Sequence, residues 1–410
     1  MTQLNLTLEP EFLKALFLHD NGDAVKKLVE RVIDAVLNAE AEEQVGAALY
    51  ERTGEARTYR NGYRERSITT RVGTLELHIP KLRNGHFSTE LFARYQCNER
   101  ALMLSLMEMV IQGVSTRKVS AITEKLCGTQ FSAQTVSQLC KELDESINVF
   151  RNRPLTKAYP FLCADATYVR QHSEDRGVIS VGLFIVLGVR EDGIREVLGF
   201  SVSEKESEAT WKEMFQSLKN RGLQGVRLIT SDAHCGIQKA IFQSFPGCAW
   251  QRCQTHFSRN VLDACPSRTV PELKIRLRDM YEAPTLDECR NRRDAILKDF
   301  SLSAPKAMKV LEQGWNDIVS VYAYPPTLRK KLRTSNAIER VNGEIKRREN
   351  VIRIFPNEAS ILRLMGAILM DLHENWAQRK YMDLTELCHW EAEQVVAPMG
   401  AMGEGTTSAA

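Results

Sequence analysis

The sequence of 410 residues lacks any apolar run long enough to cross a membrane. The longest such run, Val181–Val189, ends at Arg190, whereas a transmembrane helix needs about 20 mostly apolar residues. The first residues, MTQLNLTLEPEF, lack the basic segment and apolar core of a secretory signal peptide. These absences exclude a membrane-spanning protein and predict a soluble cytoplasmic protein with no membrane partner.

The cysteines lack the spacing of a disulfide framework, which predicts free thiols in a reducing cytosol. The ten cysteines are scattered through apolar or helical stretches: Cys97, Cys127, Cys140, Cys163, Cys235, Cys248, Cys253, Cys265, Cys289 and Cys388.

An excess of charge of one sign is also absent, since 55 Lys and Arg residues stand against 52 Asp and Glu residues. A net charge of +3 says little about partners, so only local clusters are informative. The chain is 43% apolar and 26% charged, which excludes wholesale disorder and a fibrous architecture. At roughly 150 residues per domain, the length predicts about two to four domains.

Changes in pattern along the chain predict an α/β catalytic domain with a mixed sheet and an all-α insertion, preceded by a mainly helical region. The predicted segments are 1–100, helical with a short basic β segment; 101–150, helix-turn-helix-like; 151–256, the first part of the α/β domain; 257–333, the all-α insertion; 334–385, the last part of the α/β domain; and 386–410, a tail.

The helix-turn-helix prediction comes from the segment GVSTRKVSAITEKLCGTQFSAQTVSQLCKEL. Ser115 or Thr116 is a candidate cap for the first helix, Gly128 ends it, and Ser132 is a candidate cap for the second. The second helix, 133–143, would then enter a DNA major groove. The alternative is an ordinary helical hairpin packed on a neighbouring element, which the same spacing permits.

The α/β prediction rests on three consecutive strand patterns followed by helix, strand, helix and strand. The predicted strands are 161–169, 178–189, 195–202, 226–231 and 248–251, with helices at 206–220 and 236–245. Further helices are predicted at 336–349 and 361–379.

Three acidic residues lie where structural acids are unusual. Asp165 lies inside the strand pattern FLCADATYV, Asp232 ends VRLITSDAH, and Glu339 lies in the first turn of a predicted helix. A buried acid is costly unless it is paired or binds a cation, and ligands bind at the carboxyl ends of strands in α/β sheets. The three positions are distant in sequence but can converge across one sheet.

Converging carboxylates repel one another, so such a site implies bound cations. Oxygen ligands without a Cys/His set favour Mg²⁺ or Mn²⁺. Two such ions activate a water or a 3′-hydroxyl and stabilise the leaving oxygen of a phosphodiester.

Each acid also has a structural interpretation. Asp165 is compatible with a hydrogen-bonded core acid, and Asp232 with the cap of a helix beginning near Ala233. Glu339 fits a capping box with Asn336 as its N-cap. Taken together in this order, the acids favour a nuclease or strand-transfer site.

At this point the sequence resembles a known family. The segments FLCADATYVR, LITSDAHCGIQKAI, WQRCQTHFSRNVL and SNAIERVNGEIKRR, with NGYRERSITTRVGTLELHIPKLR upstream, resemble bacterial insertion-sequence transposases of the mutator type, over about residues 25–380. The resemblance implies a ribonuclease-H-like catalytic domain with an Asp-Asp-Glu triad, interrupted by an all-helical insertion. It thereby implies Asp165, Asp232 and Glu339 as catalytic metal ligands.

A Cys-x-x-His pair, Cys253 and His256, follows the last predicted strand. A structural zinc site needs four ligands, and no second short pair is present, so the spacing does not favour one. The resemblance implies that this pair supports the DNA strand near the active site. Trp250 and His256 are candidates for stacking on an unpaired base, the alternative being a core tryptophan at a packed helix start.

Two basic segments are candidates for contact with DNA. The segment 57–83 carries seven basic residues against Glu65 and Glu76, namely Arg57, Arg60, Arg64, Arg66, Arg71, Lys81 and Arg83. Such a cluster suits phosphate contacts, although a solvated surface is the alternative. Beyond Glu339, helical spacing aligns Asn342 and Lys346 on its face, so Lys346 is a candidate phosphate ligand. Arg347 is a weaker candidate, since it and Arg348 are compatible with solvent exposure.

The residues and the resemblance together predict a DNA transposase that binds terminal inverted repeats, cuts a strand with metal-activated water and joins a 3′-hydroxyl to target DNA. The expected partners are double-stranded DNA at the element ends and the target, and a second copy in a homodimer or larger assembly. No small-molecule cofactor is expected. The alternatives are a ribonuclease-H-like nuclease without strand transfer and a DNA-binding regulator derived from a transposase.

Overall fold

A computed structural model describes residues 9–10, 14, 22–47, 58–83, 86–93, 96–387 and 390. Contacts along the chain divide it into two compact units, 1–142 and 143–410. Among the described residues, no helix combines the length and apolar character that crossing a membrane requires.

The first unit begins with a helix packed on a β-hairpin. Helix α1 (Gly22–Val45) covers strands β1 (Arg60–Thr70) and β2 (Gly73–Leu82), which pair antiparallel. The short basic β segment predicted within 1–100 is therefore an antiparallel hairpin over its described residues. Their shared core is formed by the buried side chains of Leu37, Ile68, Leu75, Leu77 and Ile79.

Helix α1 also covers the outer edge of β2. A carboxylate oxygen of Glu30 accepts a hydrogen bond from the Glu76 amide at 2.9 Å, and Asp34 accepts one from the His78 amide at the same distance. These contacts satisfy donors that an open strand edge would leave available for pairing with another chain.

Three helices complete the described part of the first unit: α2 (Arg100–Ile111), α3 (Thr116–Cys127) and α4 (Ala133–Cys140). Ser115 caps α3 by accepting a hydrogen bond from the Lys118 amide, and Ser132 caps α4 by accepting one from the Thr135 amide. Gly128 follows α3 with φ +64°, a left-handed conformation that favours glycine. The predicted helix, turn and helix are confirmed.

Helix α4 is shorter than predicted. It ends at Cys140 because the Lys141 and Glu142 amides bond to carbonyls three residues back, which tightens the last turn. A separate helix, α5 (Leu143–Asn152), begins the second unit.

The second unit is built around a five-stranded mixed sheet in the order β5-β4-β3-β6-β7. Strand β3 pairs antiparallel with β4 and parallel with β6, while β5 is antiparallel to β4 and β7 is parallel to β6. This arrangement confirms the predicted α/β class with a mixed sheet. The strands are β3 (Phe161–Ser173), β4 (Gly177–Val189), β5 (Arg195–Ser203), β6 (Leu228–Ser231) and β7 (Ala249–Arg252).

Helices connect β5 to β6 and β6 to β7, and further helices form the segment between β7 and the final pair of helices. Helix α6 (Glu208–Asn220) connects β5 to β6, and α7 (Cys235–Ser244) connects β6 to β7. Residues 254–332 contain no strand, as predicted for the insertion. Their helices are α8 (Gln254–Asp263), α9 (Val270–Tyr281), α10 (Leu286–Asp299), α11 (Pro305–Gln313), α12 (Trp315–Ile318), a 3₁₀ turn (Ser320–Ala323) and α13 (Pro326–Leu332). The final pair is α14 (Asn336–Ile352) and α15 (Glu358–Ala377).

Strand alternation decides which side chains of β3 enter the main core. Leu162 and Ala164 join Trp211 and Phe215 of α6 in one buried cluster. Successive side chains of a strand point to opposite faces, so Asp165 lies on the face away from this cluster. The acid in the middle of the strand is therefore not surrounded by the apolar packing of α6 and α7.

Replacing Phe215 by alanine should destabilise the second unit. Phe215 is fully buried and stacks on Trp211 with ring centroids 5.7 Å apart. Removing a buried aromatic ring costs about 3–5 kcal/mol of unfolding free energy. Chemical denaturation should show this as a lower midpoint, whereas Leu302→Ala, at a side chain that is 96% exposed, should change the free energy by no more than about 0.5 kcal/mol.

Candidate active site

The register of two parallel strands brings Asp165 and Asp232 to the same place. Cys163 of β3 is paired with Thr230 of β6, and each acid lies two residues beyond its member of this pair. Neighbouring strands are about 4.8 Å apart, so the same register carried forward sets the acids side by side. Asp165 is still within β3, whereas Asp232 follows the end of β6, where the sheet opens.

The electrostatics of Asp165 reflect this proximity. Burial and the nearby charge of Asp232 raise the pKa of Asp165 from 3.8 to about 6. The charge of His256 and a hydrogen bond from Asn342 act in the opposite direction without cancelling the increase. Negative charge at this point is therefore only partly compensated by the protein.

Helix α14 carries Glu339 to the same side of the sheet. Asn342 Nδ2 donates a hydrogen bond to Asp165 Oδ2 at 2.8 Å, and Lys346 Nζ donates one to the Tyr168 carbonyl at 2.6 Å. Glu339, Asn342 and Lys346 lie on one face of the helix, so Glu339 is one turn from the contact with Asp165. Its charge also raises the pKa of Cys163 and of His256.

The structure excludes two of the capping alternatives. Asn336 is the first residue of α14, and the cap position is occupied by Ser335, so Asn336 and Glu339 do not form a capping box. Helix α7 begins at Cys235 and is capped by the His234 ring. Asp232 instead accepts a hydrogen bond from the His234 amide at 3.2 Å, which orders its own loop.

Cys253, His256 and Glu339 form a compact cluster beside the two aspartates. One ligand atom from each lies within 4.8 Å of the other two. Ser335 joins them, since its hydroxyl lies 3.1 Å from Cys253 Sγ and 3.3 Å from Glu339 Oε1. The sequence indicated the Cys-x-x-His pair, but only the fold brings Glu339 and Ser335 to it.

The protein environment favours the ionised forms of the Cys-x-x-His pair. Burial alone would raise the pKa of the Cys253 thiol, but hydrogen bonds from His256 and Ser335 lower it overall. The hydrogen bond to Cys253 raises the pKa of His256 despite the cost of burial.

Trp250 lies in the core rather than on an open surface. Its side chain is 8% exposed, and its indole N–H donates a hydrogen bond to Ser231 Oγ at 2.9 Å. Phe242 packs edge-on against it. This position favours the core interpretation over stacking of Trp250 on a base, because the ring is covered by the packing of β7 against α7.

The basic residues beyond Glu339 differ in exposure. Lys346 is 49% exposed and also forms an ion pair with Glu349 at 3.0 Å. Arg347 is exposed and pairs with Glu344 at 3.3 Å. Arg348 is buried beside the same glutamate, so the expectation that it faces solvent is wrong.

Some basic side chains of the hairpin bind other groups of the protein, and others are exposed without an ion pair among the described residues. Arg66 donates to the carbonyls of Ala93 and Gln96, and Arg71 is paired with Glu99 at 2.6 Å. Arg60 lies 3.4 Å from Glu42. Three further side chains are exposed and have no ion pair among the described residues: Arg64, Lys81 and Arg83. Arg57 lies outside the described residues.

Glu206 is a residue near the site that the sequence patterns did not indicate. Its carboxylate accepts hydrogen bonds from the Tyr168 hydroxyl at 3.0 Å and the Trp211 indole at 3.1 Å, and it lies 3.4 Å from His234 Nδ1. It thereby connects β3 to the loop that carries Asp232. The sequence placed Glu206 inside a helix, whereas α6 begins at Glu208 after the Ser207 cap.

Comparison with known proteins identifies related sequences over nearly the whole chain. A family model described as "Transposase, Mutator family" matches residues 1–379. The transposase for insertion sequence element IS256 in transposon Tn4001 of Staphylococcus aureus is 42% identical over 390 residues, which cover 93% of this chain and 99% of that protein.

Two further relatives show similar coverage. The transposase for insertion sequence element ISRM5 of Rhizobium meliloti is 42% identical, covering 90% of this chain and 93% of that protein. The transposase for insertion sequence element IS1081 of Mycobacterium tuberculosis is 37% identical, covering 94% of each. A solved structure, the Mos1 strand transfer complex, is 12% identical over 41% of this chain and 60% of that chain. Its TM-score of 0.16 is too low to support an argument about fold.

The raised pKa of Asp165 predicts the pH dependence of stability in metal-free protein. Because its folded pKa is about 6 and its ordinary value is 3.8, wild-type stability should fall as the pH rises from about 4 through 6. Asp165→Asn should therefore raise the unfolding free energy by about 3 kcal/mol at pH 8 and by little at pH 4. Denaturation in the presence of EDTA measures both values.

The matched control for that experiment is Asp263→Asn, at an exposed aspartate near the end of α8. It should change the free energy by no more than about 0.5 kcal/mol at either pH. Equal effects of Asp165→Asn at pH 4 and pH 8 would contradict the electrostatic account of Asp165.

Proposed function

Because this chain belongs to the Mutator family of transposases, we propose that Asp165, Asp232 and Glu339 are the catalytic residues of an insertion-sequence DNA transposase. The observation that carries the proposal is the register that sets Asp165 beside Asp232 at the opening of the sheet, with α14 bringing Glu339 to the same side. The chemistry proposed for this site is cleavage of a DNA strand followed by transfer of a 3′-hydroxyl to target DNA.

The donor chemistry of the three residues fits Mg²⁺ or Mn²⁺. Carboxylate oxygens are the ligands these ions prefer, and two ions shared among three carboxylates match the proposed phosphodiester chemistry. The pKa of Asp165 is raised by burial and by Asp232, so negative charge remains for a cation to compensate. When bound, two such ions would lower the pKa of an attacking water or hydroxyl and stabilise the leaving oxygen.

The neighbouring side chains position the acids and the DNA. Asn342 donates to one oxygen of Asp165 and thereby orients the carboxylate. The His234 amide orients Asp232 in the same way. Lys346, bound to the Tyr168 carbonyl and half exposed, is placed to contact a backbone phosphate along the same face of α14. Cys253 and His256 would support the strand beside Glu339.

The ribonuclease-H-like classification of the second unit is part of this proposal. Three strands connected in sequence, followed by two parallel strands with helical connections, form the kind of mixed sheet that the resemblance implies. The all-helical segment between β7 and α14 corresponds to the implied insertion.

Binding of double-stranded DNA is proposed for the first unit. Helix α4 exposes Gln134, Thr135 and Gln138, and amide side chains suit adenine edges in the major groove. The exposed Arg64, Lys81 and Arg83 of the hairpin suit phosphates. A homodimer or larger assembly follows from the need to bring two element ends together. Cytoplasmic location and the absence of a small-molecule cofactor remain predictions.

The decisive experiment measures cleavage and joining of DNA that carries both element ends in Mg²⁺. Asp165→Asn, Asp232→Asn and Glu339→Gln should each lower the rate by about 10³-fold or more, because each removes several kcal/mol of transition-state stabilisation. DNA binding, measured separately, should persist. Glu312→Gln, at an exposed glutamate of α11, is the matched control and should retain the wild-type rate.

The outcomes distinguish the proposal from its alternatives. If a triad variant cleaves DNA at the wild-type rate, the replaced residue is not catalytic. Cleavage without any joined product would favour a nuclease, and binding without cleavage in the wild type would favour a regulator.

The hairpin makes a separate prediction about salt dependence. Combined replacement of Arg64, Lys81 and Arg83 by alanine should weaken binding to end DNA. It should also make the negative slope of log K against log salt shallower by about 3. Arg71→Ala should have a smaller effect, because its guanidinium is already paired with Glu99. Titrations at several salt concentrations test both, and an unchanged slope for the triple variant would show that the hairpin does not bind phosphates.

A further inference from the structure

The Cys253, His256 and Glu339 cluster has a donor set different from that of the aspartates. It offers one sulfur, one imidazole nitrogen and one carboxylate oxygen, all within 4.8 Å of one another. Among the residues that the structure describes, it is the group of three His, Cys, Asp or Glu side chains whose ligand atoms all lie this close to one another. Mg²⁺ prefers oxygen ligands, whereas thiolate and imidazole select Zn²⁺ and similar ions.

We propose that Cys253, His256 and Glu339 bind a thiophilic divalent cation such as Zn²⁺, and that this binding inhibits the transposase by withdrawing Glu339 from the catalytic site. The inhibitory part of the inference rests on the proposed role of Glu339. The binding part rests on the cluster alone.

The local backbone holds the sulfur in place. Cys253 immediately precedes α8, and its amide donates to the Ser231 carbonyl at 2.7 Å. The following amide, of Gln254, donates to the Arg333 carbonyl at 2.9 Å. His256 lies three residues after Cys253, so both side chains are on one side of the first helical turn.

Ser335 supplies an outer shell typical of a metal-bound thiolate. Its amide nitrogen is 3.3 Å and its hydroxyl 3.1 Å from Cys253 Sγ, and the residue is buried. Hydrogen bonds to a sulfur stabilise negative charge on it, and outer partners of this kind orient metal ligands. The same hydroxyl lies 3.3 Å from Glu339 Oε1, so one residue orients two of the three ligands.

The cluster needs only small side-chain movements to close on an ion. Ligand atoms around one tetrahedral Zn²⁺ are about 3.4–3.6 Å apart, given bond lengths of about 2.0–2.3 Å. The ligand atoms must therefore approach by about 1.2–1.4 Å at most from separations within 4.8 Å. Three protein ligands leave a fourth position for water, so the site differs from the four-ligand structural zinc site that the sequence spacing argued against.

The sharing of Glu339 connects this site to catalysis. A carboxylate held by Zn²⁺ beside Cys253 is no longer available to the ions between Asp165 and Asp232. Zn²⁺ should therefore inhibit DNA cleavage in Mg²⁺, and raising the Mg²⁺ concentration should relieve the inhibition.

The test titrates the full chain, freed of metal with EDTA and kept reduced without a chelating thiol, with Co²⁺ as a coloured probe. The wild type should bind one Co²⁺ with a thiolate-to-metal charge-transfer absorption, and Zn²⁺ should displace it. Cys253→Ser should abolish this absorption, and His256→Asn should weaken binding by about 100-fold. Ser335→Ala, which removes one hydrogen bond to Sγ, should weaken binding by about tenfold.

Cys248→Ser is the matched control, since Cys248 is in the same segment but its thiol bonds to the Ala249 carbonyl outside the cluster. It should bind Co²⁺ as the wild type does. Thermal unfolding of each variant identifies any that fail to fold. If Cys253→Ser fails to fold, His256→Asn and Ser335→Ala still test the site.

Two results would overturn the site: no thiolate absorption in the wild type, or undiminished absorption in a folded Cys253→Ser variant. Zn²⁺ binding without inhibition of cleavage would overturn the regulatory role. The cobalt titration uses no DNA and no turnover. Its failure is therefore distinguishable from failure of the Asp165, Asp232 and Glu339 assignment, which the triad variants test.

Discussion

The repulsion between two carboxylates, one within β3 and one just beyond the end of β6, is the constraint on which the rest of the candidate site depends. Parallel pairing of β3 with β6 sets Asp165 beside Asp232, and burial adds to the cost of ionising Asp165, whose pKa is raised. The protein offsets only part of this cost, through Asn342 and His256. The metal-binding function proposed for this site accounts for the arrangement, since two adjacent acids are costly in a core that binds no cation.

Helix α14 is the element that completes the site, and its position depends on the helical segment before it. Thr230 of β6 donates a hydrogen bond to the Leu332 carbonyl at the end of α13, and Ser335 contacts Cys253 after β7. The chain therefore returns from the insertion to the strand ends it left. This return places Glu339 beside the Cys-x-x-His pair, one helical turn from the contact of Asn342 with Asp165.

Individual residues show which features of the site could be predicted from the sequence and which could not. Asp165 and Asp232 are candidates from the sequence because acids within a strand and at a strand end conflict with local packing. Glu339 is a candidate through its place in the chain order and the family resemblance, and the catalytic roles of all three stay predictions. The burial of Trp250 and Arg348 could not be predicted, because the neighbours that cover them come from other parts of the chain. Glu206 left no signal either. Its sequence context does not distinguish a residue at an exposed helix start from a carboxylate that accepts hydrogen bonds from Tyr168 and Trp211 and lies near His234.

The sequence by itself determined the α/β class, the helix-turn-helix caps, the strand-free helical segment and the family, because each follows from periodicity, capping residues or motifs within single stretches of chain. The tertiary structure decided the strand register that pairs the aspartates and the contact between Ser335 and Cys253. It also decided which basic residues remain available on the hairpin. These features depend on groups distant in sequence, whose separation becomes a contact only when the chain is folded.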